Sequence, residues 1–159
     1  MILGLILKVK DNSMANKTLY FNLQKRWFDL IDSGDKKEEY REIKEHWVLR
    51  LIENKGYWCS HILSEKLRGI FWYYRGRNNS RVNAVKEILK HEEINFKEFD
   101  TVTFVNGYSG KARKLIVEFK GIEIGFPISG LSEEGWLDRN VFKIKLGEII
   151  KRENYGHTN

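Results

Sequence analysis

Proline occurs once in this chain, at Pro127, and cysteine once, at Cys59. With 31% charged and 42% hydrophobic residues beside that lone proline, a proline-rich linker or a disordered chain is excluded. One cysteine excludes an internal disulfide and predicts a reducing, cytoplasmic setting. Cys59-x-His61, with His46 as a third group, falls short of the four ligands a structural zinc needs, so no metal and no cofactor are expected. Long hydrophobic runs are missing too. The apolar opening Met1 to Leu7 is far shorter than the ~20 residues a bilayer span needs, and it lacks the basic flank and small-residue cleavage site of a signal peptide. No membrane partner is therefore expected. Met14 reads as a second start, which makes residues 1 to 13 either an extra strand or a dispensable extension. The G-x-S-x-G, Walker and H-E-x-x-H patterns are all absent, which removes the commonest serine-hydrolase, phosphate-loop and metalloprotease signatures.

What the chain does have is size and basic charge. Its 159 residues suit one domain with a full core. Lys and Arg number 28 against 22 Asp and Glu, a formal charge of +6. That balance fits a polyanionic partner and equally an ordinary basic protein. The distribution is more telling. From Lys66 to Lys90 the basic residues are Lys66, Arg68, Arg75, Arg77, Arg81, Lys86 and Lys90, and the only acid is Glu87.

Hydrophobic periodicity predicts a strand over 18–23 and a helix over 24–33 with Trp27, Phe28, Leu30 and Ile31 on one side. Ser33-Gly34-Asp35 ends that helix. A strand over 37–43 and a second helix over 44–54 follow. In the region 55–98, Ile70 to Tyr74 reads as a buried strand, residues 76–80 as a polar turn, and Ser80 as the N-cap of a helix reaching His91. Later strands are expected over 101–106, over 115–124 with a bend at Gly121, and over 141–150. An irregular loop at 127–138 and a polar, fraying tail from Lys151 complete the pattern. The fold class is α+β: a small β-barrel decorated with helices, with residues 55–98 as a helical and aromatic insertion.

The most informative stretch is Gly34-Asp35-Lys36-Lys37-Glu38-Glu39-Tyr40-Arg41. Glu39 and Arg41 share one face of a strand because the side-chain period is two. Lys36, in the preceding turn, can fold over that face. Two cations and one carboxylate then meet at the mouth of a sheet, where they hold a phosphate or an amide carbonyl, or form a plain ion-pair network. Arg41 supplies a two-point donor fork. Two flanking cations favour the charged carboxylate of Glu39, which suits orienting or recognition better than base catalysis.

Residues 30–41, with Phe99 to Ser109 and Val141 to Ile150, resemble in sequence and order the ASCH domain family, in particular its phage and bacterial members. The resemblance spans about residues 17–54 and 99–150. It implies a PUA-like β-barrel that binds RNA or a nucleotide-like ligand in a cleft beside the motif. It also implies that some small members hydrolyse the amide of N4-acetylcytidine and that others cut RNA. On that basis Lys36 and Glu39 are candidate catalytic residues. The amidohydrolase members carry a Thr where this chain has Glu39, so the hydroxyl nucleophile is missing here.

A second candidate wall is the turn Asn106-Gly107-Tyr108-Ser109. Tyr108 can stack on a base and Asn106 can read a base edge, while Asn-Gly is also the strongest hairpin signal. Arg75 and Arg77, interleaved with Phe71, Trp72, Tyr73 and Tyr74, read either as a grip for single-stranded nucleic acid or as solvated charges beside a buried strand. Lys143 and Lys145 read as the solvent face of the last strand.

Overall fold

The computed structural model describes residues 16–55, 60–78 and 80–156. The N-terminal extension, Cys59 and the side chain of His61 lie outside the described residues.

Five strands build one curled half-barrel sheet: β1 (Thr18–Asn22), β2 (Glu38–Arg41), and three more from the C-terminal half. In order along the sheet these are β1, β5 (Thr101–Val105), β6 (Lys114–Gly125), β7 (Val141–Glu153) and β2, with β3 (Ile52–Asn54) and β4 (Ile94–Phe96) pairing separately. β1 runs parallel to β5, placing Leu19 beside Val102 and Phe21 beside Phe104. The other pairs are antiparallel. Among the described residues β1 and β2 do not bond to each other, so the sheet stays open at that seam. The expected α+β class is met, and in place of the expected small closed barrel stands a barrel-like half-barrel, open at that seam.

Helix α1 (Lys25–Asp32) buries Trp27, Phe28 and Ile31 against the sheet. It stops where predicted. Gly34 takes φ +85°, and its N–H bonds the Ile31 carbonyl at 3.1 Å while the Lys36 N–H reaches Leu30 at 2.9 Å. A positive φ costs glycine little, and the reversal aims Lys36 back under the helix.

Helix α2 (Glu45–Leu51) is shorter than expected, because Ile52 turns extended and begins β3, which pairs with β4 as Ile52 with Phe96. The expectation of a strand over Ile70 to Tyr74 is overturned: these residues belong to α3 (Ser60–Asn78), which also absorbs most of the expected polar turn. The four consecutive aromatics masked a helical stripe. Leu67 and Phe71 are buried while Ile70 and Tyr74 pack beside them, the i, i+3, i+4, i+7 pattern of one helix face. Helix α4 (Arg81–Ile88) starts at Ser80 as expected, whose Oγ accepts from the Asn83 N–H at 3.3 Å. Leu67, Phe71, Ala84, Val85 and Ile88 join the same core as Leu19, Phe21, Phe104 and Phe142.

The tail does not fray at Lys151. β7 continues to Glu153, and Asp32 at the end of α1 takes hydrogen bonds from Arg152 Nε at 2.7 Å and the Tyr155 hydroxyl at 2.8 Å. Among the described residues no helix is long and apolar enough to cross a membrane.

Gly121 has φ +121° within a run of register shifts between β6 and β7. Space is not the constraint, since nothing lies within 4 Å of a Cβ there. Gly121→Ala is expected to lower stability by about 1–3 kcal/mol through backbone strain alone, read as a lower denaturation midpoint with an unchanged denaturant slope.

Candidate functional site

The open seam between β1 and β2 is filled by side chains. A recess of about 260 Å³ sits there, walled by Asn22 at the end of β1, Leu23 and Gln24 after it, Trp27 of α1, Lys36, and Tyr40 of β2, with Ser132, Glu133 and Trp136 from the β6–β7 loop. Glu39 and Arg41 complete the lining. The three residues expected from sequence to converge do so.

Lys36 Nζ stands 3.0 Å from Glu39 Oε2, and both side chains are 3% exposed. Arg41 Nη1 pairs with Glu39 Oε1 and also donates to the Tyr40 carbonyl at 2.6 Å. The seam is further bridged by cation–π contacts. Lys36 Nζ lies 4.6 Å from the Trp27 ring centre and 5.0 Å from that of Tyr40. The Arg41 guanidinium lies 4.3 Å from Phe21 on β1 and 5.1 Å from Trp47 on α2. Such contacts gain when water is excluded. Burial pulls the Lys36 pKa below its ordinary value, opposed by the charge of Glu39.

Glu39 Oε2 is the exception. The Lys36 ammonium is within ion-pair range, yet it meets the oxygen off the hydrogen-bonding direction, and this fully buried atom has no hydrogen bond. The ammonium at 3.0 Å offsets part of the about 1–3 kcal/mol that a wholly unpaired buried acceptor would cost. A ligand N–H reaches Glu39 Oε2 only once the side chains that close it off from solvent move aside.

The rim is held by polar contacts. Trp27 Nε1 donates to Glu133 Oε1 at 3.1 Å, fixing the β6–β7 loop over α1. The Tyr40 hydroxyl donates to Glu38 Oε2 at 3.0 Å and accepts from the Ile128 N–H at 3.3 Å, tying the same loop to β2. Burial, with the hydrogen bond to Glu38, pushes the Tyr40 phenol up to about 12.

A second charge cluster lies on the opposite face of β2, and it corrects the reading of Lys143 and Lys145 as a plain solvent face. Lys143 Nζ is 3.4 Å from Glu38 Oε2 and 3.3 Å from Glu123, and Lys145 pairs with Glu38 and, at 2.9 Å, with Glu123. Burial alone would raise the Glu38 pKa. Hydrogen bonds from Lys145 and Tyr40, with the charge of Lys143, hold it below the usual carboxylate value. Hydrogen bonds to Glu38 and Glu123 in turn raise the Lys145 pKa.

The other candidate residues stand apart from the recess. Asn106 Nδ2 donates to the Leu23 carbonyl at 3.2 Å, and Asn22 brackets Gly107 with bonds of 2.8 and 3.2 Å, so this turn pins the link from β1 to α1. Tyr108 is 97% exposed, and Ser109 Oγ accepts from the Lys111 N–H at 3.2 Å. Neither lines the recess, so the expected second wall is instead the β6–β7 loop. Arg75 and Arg77 project from α3, each 4.4 Å from a ring centre, Trp72 and Tyr73 respectively, and both rings are about half exposed. Among the described residues no group of His, Cys, Asp and Glu could hold a metal.

Sequence reasoning missed Trp27, Trp136, Ser132 and Glu133 as site residues. Trp27 carried only the signal of an apolar helix face, and the loop residues carried none. The chain matches no protein-family model, and neither a curated protein nor a solved structure matches it.

Two predictions follow from the charges. Glu39→Ala is expected to cost about 3–5 kcal/mol, since it strands two buried cations, whereas Lys36→Met with Glu39→Leu costs clearly less than the sum of the single changes; a double-mutant cycle by chemical denaturation reads this. For Glu38 the folded pKa is depressed from 4.5, so its contribution is full above that value and is lost as pH falls through the folded pKa. Glu38→Gln is therefore expected to cost about 1–2 kcal/mol near neutrality, discounted for partial solvent screening, with the deficit shrinking below about pH 4.5 in acid titrations followed by circular dichroism.

Proposed function

We propose that this protein binds single-stranded RNA by taking one base into the recess over Glu39. The observation that carries the reading is the buried Glu39 Oε2, ion-paired yet lacking a hydrogen bond, at the floor of a recess with indole walls. Lys36 and Arg41 are balanced there by Glu39 and Glu133, so the floor has no net charge to spend on a phosphate. It suits a flat, neutral group with N–H donors on its edge, and bases have both properties. Trp136, half-buried on the β6–β7 loop, offers a ring for stacking, a contact worth about 1–3 kcal/mol per base. The volume of about 260 Å³ admits one base rather than a duplex. The resemblance to the ASCH domain family, with its PUA-like barrel and RNA cleft, points the same way.

A second reading is an enzyme that hydrolyses a modified nucleoside or RNA. It is favoured by one feature: Lys36, its pKa lowered by burial, lies 3.0 Å from Glu39 Oε2 in the lining of the recess, an amine beside a carboxylate being a pair suited to proton transfer. Incubation with acylated nucleosides and with labelled RNA separates the two readings. Turnover abolished by Lys36→Met supports the enzyme, and binding without turnover supports the module.

Binding is expected to quench tryptophan emission through Trp27 and Trp136. Glu39→Gln should weaken RNA binding about tenfold, one good hydrogen bond's worth, and Trp136→Ala should weaken it by a similar factor. Unchanged emission and unshifted RNA in gels at low salt contradict the reading.

A further inference from the structure

Beside the recess, outside its balanced floor, lie two cations, Arg50 and Lys97, next to the Glu39-paired Arg41. Arg41 and Arg50 flank the same two rings: their guanidinium carbons lie 5.1 and 5.4 Å from the Trp47 centre and 4.3 and 5.9 Å from that of Phe21. Arg50 Nη2 donates to the Tyr20 carbonyl at 2.7 Å. Lys97 Nζ donates to the Leu49 carbonyl at 3.0 Å, one residue before Arg50. Neither Arg50 nor Lys97 has a carboxylate within ion-pair range among the described residues, in a molecule where most other half-buried cations have one. Glu53, whose charge reaches Lys97, is engaged by Lys55 at 3.9 Å.

Neutral carbonyls orient these cations without cancelling them. Burial first, and then the charge of Arg41, lowers the pKa of Arg50; burial lowers that of Lys97 against the opposing charge of Glu53, with Arg50 and Lys17 adding to the lowering. Like charges held together at a half-buried site, with guanidinium donors to spare, favour an oxyanion. Tyr20, whose carbonyl takes the Arg50 bond, is 55% exposed on the edge strand β1.

We propose that Arg50 and Lys97, continuing from Arg41 at the recess edge, bind the phosphodiester backbone of the same single strand whose base enters the recess. This rests on the RNA reading above and adds to it where the strand runs: out of the seam, across α2, toward Lys97. The recess then confers base preference and the cation track confers affinity without sequence preference.

The test is fluorescence anisotropy of the full chain with labelled ten-nucleotide single-stranded RNAs of differing base composition across a salt series. Arg50→Gln is expected to weaken all sequences alike, about tenfold, and to lower the slope of log K against log salt by about 0.7. Lys97→Gln should act likewise, and Arg50→Lys should restore the slope by keeping the charge, which a merely structural role for Arg50 would not predict. Glu39→Gln should weaken binding in a base-dependent way with the slope intact. RNA bound by the wild type with the same slope in Arg50→Gln and Lys97→Gln overturns the phosphate track and leaves the recess reading standing. Slope loss without any effect of Glu39→Gln upholds the track and overturns the recess. Polyglutamate displacing RNA at equal charge concentration overturns the nucleic-acid assignment in favour of an acidic protein partner, and no RNA binding at low salt overturns both proposals.

Discussion

The structure turns on one buried chain of charge, Lys36 to Glu39 to Arg41, set where a curled sheet fails to close. Strands β1 and β2 are its two free edges, and an open seam in a half-barrel would expose unpaired backbone and the core behind it. Here the seam is closed by side chains instead. Arg41 reaches from β2 over Phe21 on β1, and Lys36 lies over Trp27 of α1. Glu39 lies between the two cations and pairs with both. Closing the gap with charge rather than with another strand leaves a cavity with polar groups on its floor, which a hydrogen-bonded closure would have filled.

That arrangement is costly, and the surrounding structure explains how it persists. Desolvating three ionised groups is unfavourable unless each is paired and oriented. The turn at Gly34 delivers Lys36 from beneath α1. The Tyr40 hydroxyl fastens β2 to the backbone of the β6–β7 loop and to Glu38. On the far side of β2, Glu38, Lys143, Lys145 and Glu123 form a second, more solvated network. β2 thus carries charge on both faces and is held from both. The one group left short is Glu39 Oε2, and a deficit of that kind at the base of a recess is what a ligand's donor can relieve.

Much of this was legible in the sequence, for local reasons. Alternation in Leu19 and Phe21, the apolar side of α1 and the stop at Gly34 depend on neighbours within a turn or a strand. The convergence of Lys36, Glu39 and Arg41 follows from the two-residue period of β2 and the turn before it. What was not legible depends on distant partners. The switch from α2 to β3 at Ile52 is fixed by pairing with Phe96. The tail is held by Asp32, more than a hundred residues away. The run Phe71 to Tyr74 reads as a strand by composition and folds as a helix because Leu67 and Phe71 share one buried stripe. Trp136 and Ser132 join the recess only because the β6–β7 loop folds back over α1. The turn at Asn106 kept its hairpin role: its amide is committed to the Leu23 carbonyl, and Tyr108 faces solvent.

The central claim is that the buried oxygen of Glu39 receives a donor from a base. A crystal structure of the full chain with a short single-stranded RNA tests it most directly. The account predicts one base within the recess and an N–H of its edge in hydrogen-bond reach of Glu39 Oε2, the side chains that cover that oxygen moved aside and the Arg41 pair to Oε1 intact. RNA bound elsewhere, with Glu39 Oε2 instead hydrogen-bonded squarely to Lys36 and the recess filled by Trp136 or collapsed, would contradict it.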